Sequence, residues 1–101
     1  MKLLLITAVQ EYKENVKKIL LHSGIKTFTY MPAKGYRDST MDSIGNNWFG
    51  SEMNESEAFV YFVFATEETI SPVRQAIEDF NKKSESLSAI HLAVMELTSI
   101  H

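Results

Sequence analysis

The side chains best suited to chemistry gather around Lys34-Gly35-Tyr36-Arg37. Arg37 is one of two arginines in the chain. A guanidinium beside a glycine can grip a phosphate or carboxylate through a forked contact, and its plainer use is pairing with Asp38. Farther along, Trp48-Phe49-Gly50 places two aromatic rings among small and polar residues. Such rings serve as anchors for a partner, or fold back onto their own or a neighbouring subunit. His22, His91 and His101 suggest a metal, with Met31, Met41 and Met53 as soft ligands, but no two histidines stand at paired ligand spacing. His22 closes a helical stretch, where a cation is well placed electrostatically. The acids Asp38, Asp42, Glu52, Glu55 and Glu57 are dispersed, and no spacing forces two into an acid–base pair. Ser39, Ser43, Ser51 and Ser56 lack a nucleophile elbow and a positioned base. The sequence therefore predicts a binding protein and not an enzyme.

The elements that position these groups must fit in 101 residues, 45% apolar and 23% charged, which suits one domain spanning 1–101. That apolar content excludes a disordered chain, and four glycines and two prolines exclude a fibrous one. The absence of cysteine removes disulfides, thiolate metal clusters and a cysteine nucleophile. A formal charge of −3 gives no footprint for nucleic acid. The apolar run Leu3 to Val9 is broken by Gln10-Glu11 and lacks a cleavage site, so a cytoplasmic location is expected. Asn54-Glu55-Ser56 matches a glycosylation acceptor, read here as chance.

Lys2 to Val9 is apolar almost throughout and too short for a helix, which predicts a strand. Between Glu11 and Ser23, Tyr12, Val16, Ile19, Leu20 and Ser23 recur at helical spacing. Lys13, Glu14, Lys17 and Lys18 take the opposite face, and Gly24 supplies the stop. Ile25 to Met31 alternates as a strand ended by Pro32. Ala33 to Ser56 has no sustained period, and so long an irregular segment in a small domain is usually functional. Glu57 to Ala65 is the strongest strand signal. Ser71-Pro72 reads as the cap of a helix ending at Lys83, although Thr66 could cap an earlier turn. Ser84 to Ser88 is a polar loop, and Ala89 to Leu97 a last strand.

The order β-α-β-β-α-β predicts a ferredoxin-like α+β fold, with two helices on one face of a four-stranded antiparallel sheet. A single-copy protein of this kind should show polar residues on the other face. Here both alternations are apolar: Val60, Phe62 and Phe64 against Phe59, Tyr61 and Val63, and Leu3, Leu5 and Val9 against Leu4, Ile6 and Ala8. Ile90, Leu92 and Val94 likewise oppose His91, Ala93 and Met95. About half a dozen apolar side chains remain on the far face, whichever set the helices cover. Self-assembly through the sheet is therefore expected.

Met1-Lys2-Leu3, Gly24, Thr29 and Lys34-Gly35-Tyr36, with the element order and the length of segment 33–56, resemble the nitrogen regulatory PII-like signalling family. The resemblance covers nearly the whole chain. It implies a homotrimer with ligand clefts between subunits, and a long T-loop, here 33–56, that docks on a membrane transporter or an enzyme. It implies a small anionic ligand, with an adenine nucleotide the candidate, held by Thr29, Lys34, Gly35 and Tyr36, to which the charge of Arg37 would add a forked contact. Trp48 and Phe49 would then meet the partner. The family's glycine-rich phosphate loop is replaced by Lys82-Lys83-Ser84-Glu85-Ser86-Leu87-Ser88, and its C-terminal arginines are absent from Thr98-Ser99-Ile100-His101. Segment 33–56 contains no glutamine for 2-oxoglutarate and no tyrosine beyond Tyr36 for uridylylation. The sequence thus predicts a divergent member. Two rival readings stay open: a metal-binding accessory protein linked to heavy-metal efflux, and an oligomerisation module with no ligand.

Overall fold

The structure is a computed structural model that describes residues 1–36, 55–84 and 88–101. Strand β1 (Lys2–Val9) passes through a 3₁₀ turn, Gln10–Tyr12, into helix α1 (Lys13–His22). Strand β2 (Thr29–Tyr36), strand β3 (Glu55–Ala65), helix α2 (Glu67–Lys83) and strand β4 (His91–Glu96) follow. The sheet order is β2-β3-β1-β4, with every neighbouring pair antiparallel. This is the expected ferredoxin-like arrangement.

Period-two alternation decides which side chains meet the helices. Leu4 stands opposite Val63 and Ile6 opposite Tyr61. These four form one core with Val16 and Leu20 of α1 and Ile70, Val73 and Ile77 of α2. Both helices therefore bury their apolar stripes against the same face of the sheet. Helix α1 ends where Gly24 takes φ +92°, a region costly for residues bearing a Cβ. The Ile25 N–H then donates to the Leu20 carbonyl (3.0 Å) and the Gly24 N–H to that of Leu21 (3.2 Å). This Schellman closure satisfies carbonyls that the helix end would leave open.

Three expectations need correction. Strand β2 begins at Thr29, not at Ile25, and runs through Pro32 to Tyr36. Among the described strands β2 is at the sheet edge, where a proline is tolerated because its missing N–H can fall on the side away from β3. Residues 33–36 and 55–56 therefore belong to strands, and 37–54 of the segment expected to be irregular lie outside the described residues. Helix α2 starts at Glu67, with Thr66 as the extended cap residue, and Pro72 lies inside it. The Thr66 carbonyl accepts from the Thr69 N–H (3.1 Å) and hydroxyl (2.9 Å), and Glu67 and Glu68 suit the positive helix start. Pro72 is exposed, so water can serve the carbonyl that it leaves without a donor. Finally, Lys13 and Lys17 are not on a purely solvent-facing side of α1. Lys13 Nζ lies 4.8 Å from the Phe59 ring centroid and 5.5 Å from that of Tyr30, and Lys17 Nζ lies 4.7 Å from Tyr30. Long lysine stems cover the rings while the charged ends gain cation–π attraction.

Candidate functional site

The sheet face that the helices leave uncovered carries Leu3 and Leu5 of β1, Val60, Phe62 and Phe64 of β3, and Ala93 and Met95 of β4. Phe64 is 56% exposed and Met95 39%. Met31 extends the patch onto β2 at 44%. Polar groups interrupt this face at Thr7 and His91, which are direct neighbours across β1 and β4. The Thr7 hydroxyl is buried with no hydrogen-bond partner among the described residues, and so is that of Ser56.

The same alternation separates the residues expected to hold a ligand. Thr29 is opposite Phe62 and Gly35 opposite Ser56, so both belong to the uncovered side of β2. Lys34 and Tyr36 belong to the other side, opposite Glu57 and Glu55. Lys34 donates a hydrogen bond to Glu57 Oε1 within an exposed ion pair. The Glu57 hydrogen bond, its charge and the charge of Glu55 raise the Lys34 pKa, so its ammonium stays protonated. Gly35 is buried and Tyr36 is 63% exposed. Arg37, Asp38, Met41, Asp42, Trp48, Phe49, Glu52 and Met53 lie outside the described residues.

The loop after α2 is held at both ends. The Tyr12 and Ser84 hydroxyls are 2.9 Å apart, and Tyr12 packs edge-on against Phe80 with centroids 4.8 Å apart. Asn81 grips the residue before β4: its Nδ2 donates to the Ile90 carbonyl and its Oδ1 accepts the Ile90 N–H, both at 2.9 Å. The amide thus acts as a short strand partner. No sequence periodicity signals this pairing, because it joins residues nine apart in different elements. Lys82 and Lys83 are exposed in the last turn of α2.

A second group missed by sequence reasoning is the ring stack beneath Lys13 and Lys17. Tyr30 stacks on Tyr61 at 5.7 Å, and Phe28 and Phe59 flank it. The Tyr61 hydroxyl donates to the Lys13 carbonyl at 3.0 Å, and burial pushes its pKa up to about 12. Lysines four apart in a helix, followed by aromatics at alternate strand positions, were the available signal. An open groove of about 540 Å³ lies between α1 and α2, floored by Ile19, Ala76 and Phe80. It contains none of the expected ligand residues.

The three histidines do not converge. His22 ends α1, His91 sits in β4, and His101 Nε2 is 2.9 Å from the Ser99 hydroxyl. Among the described residues no group of three His, Cys, Asp or Glu side chains could hold a metal. Nor, among them, is any helix long and apolar enough to cross a membrane.

These elements define a ferredoxin-like α+β protein with one apolar sheet face that its two helices do not cover. Within that class, the fold is the one found in PII-like proteins. A structure of CPII from Thiomonas intermedia, bound to ADP, AMP and acetate, superposes with a TM-score of 0.68 at 17% identity, covering 93% of this chain and 82% of that one. Another CPII structure, described as a nitrogen regulatory PII-like protein and bound to ADP, AMP and bicarbonate, gives 0.63 at 14%, covering 99% and 94%. A DUF3240 family protein from Shewanella baltica gives 0.66 at 12%, covering 99% and 92%. No family model and no curated protein matches the chain.

Proposed function

We propose that this protein is a PII-like regulator that assembles through its uncovered sheet face and binds a small anionic ligand in clefts between subunits. The observation that carries this reading is the apolar face formed by Leu3, Leu5, Val60, Phe62, Phe64, Ala93 and Met95. Full burial of each large side chain in that set is worth roughly 1.5–3 kcal/mol, and so continuous a patch favours association. A homotrimer is the assembly that the PII resemblance implies. CPII, which shares the fold, is bound to ADP and AMP in its own structures, so an adenine nucleotide is the first ligand to test.

In this reading Thr29 and Gly35 face the cleft from β2, while Lys34, Tyr36 and Arg37 supply the polar and charged root of the segment that follows. Trp48 and Phe49 on that segment meet a target, with a membrane transporter the leading candidate. Ligand binding then biases the segment between a docking form and an idle one, which requires different ligand affinities in the two forms. The protein acts by binding and not by catalysis, in the cytoplasm.

Calorimetric titration with ADP and with AMP tests the ligand. The expected result is a saturable heat in the wild type, lost in Arg37→Ala. Absence of heat with both nucleotides contradicts the nucleotide assignment.

A further inference from the structure

The root of the β2–β3 pair sets acids against the one lysine assigned to an anion. Lys34 and Glu57 are register partners, as are Tyr36 and Glu55, and alternation puts these side chains on the same side of the ribbon. The Lys34 ammonium donates to the Glu57 carboxylate, and Glu55 adds to the negative field around it. Among the described residues of this root, one cation thus faces two anions. The Lys34 and Glu57 side chains are 66% and 54% exposed, so their pair contributes little to stability and is open to competition.

We propose that Glu57 is a built-in competitor for the anion site at Lys34. A phosphate-bearing ligand displaces the carboxylate from the ammonium: Nζ stays protonated and exchanges a hydrogen bond to Glu57 Oε1 for one to a phosphate oxygen. The proposal rests on Lys34 being an anion ligand, and it makes Glu57 a determinant of affinity with an unusual sign.

The test is calorimetry with ADP on wild type, Glu57→Gln, Lys34→Ala, the double variant and Glu68→Gln, with far-UV circular dichroism confirming the fold of each. Glu57→Gln removes the competing charge and keeps the side-chain size, so it should bind ADP roughly three- to tenfold more tightly. Lys34→Ala should bind more weakly, and adding Glu57→Gln to it should give no further gain, because the gain passes through the ammonium. Glu68→Gln, which removes the same charge at the start of α2, should leave affinity unchanged. If the wild type binds ADP and Glu57→Gln binds equally or less tightly, or Glu68→Gln gains as much, the competitor role is overturned while the nucleotide reading stands. If neither the wild type nor Glu57→Gln binds, the nucleotide reading falls and the competitor role falls with it.

Discussion

The two faces of one sheet are built from similar residues and end in opposite circumstances. On the helix side Leu4, Ile6, Tyr61 and Val63 are fully buried. One residue along each strand, Leu3, Leu5, Phe62 and Phe64 are left partly or largely open. Hydrophobicity alone does not distinguish the two sets; only the presence of α1 and α2 does. The covered face shows what the chain can bury by itself. The other face is the one that the helices leave open, and the function proposed above covers it with further copies.

This contrast can be broken most forcefully by truncating one residue on each side. Ile6→Ala should lower unfolding stability by about 2–5 kcal/mol at every protein concentration, because it opens a cavity within a single chain. For the wild type, the urea midpoint should rise with protein concentration, since assembly stabilises the folded state by mass action. Phe62→Ala should flatten that dependence while changing the dilute-limit midpoint much less than Ile6→Ala does. Equal effects of the two substitutions in dilute solution would mean that the faces are not different in kind.

A smaller effect sharpens the account of the covered side. Asn81→Ala leaves the Ile90 N–H and carbonyl without their side-chain partners, which should lower stability by roughly 1–3 kcal/mol. Amide hydrogen exchange should speed up at Ile90 more than in the middle of β4. Unchanged protection at Ile90 would show that the amide clamp does not hold the strand entry.

The smallest effect is a pH dependence. The Tyr61 pKa is raised to about 12 by burial, against an ordinary value of 10.0. The folded protein therefore keeps this proton where the unfolded chain has lost it. Its contribution is fully present below the ordinary value and is lost as pH rises through the folded one. Between about pH 10 and 12 the wild type should lose stability more steeply than Tyr61→Phe, as read from urea midpoints. Parallel slopes would contradict the buried hydroxyl.

Periodicity made the helix stripes Val16, Leu20, Val73 and Ile77 legible, because burial of one face imposes the period. In β1 and β3 both alternations are apolar, so the sequence did not tell which set the helices cover. The boundaries of β2 and α2 were less visible, since Pro32 and Pro72 read as breakers wherever context is ignored. An edge strand and an exposed helix turn tolerate them. The candidate site was legible only as residue types. The resemblance grouped Thr29, Lys34, Gly35 and Tyr36, yet a strand divides them between its two sides, and Lys34 meets an acid 23 residues away. The Asn81 clamp left no trace at all, because a side-chain amide standing in for a strand obeys no repeat.

Static light scattering of the wild-type protein at micromolar concentration addresses the uncovered face most directly. The account predicts a species of about three times the 11.5 kDa chain mass. A uniform species of 11.5 kDa that persists as concentration rises would contradict it.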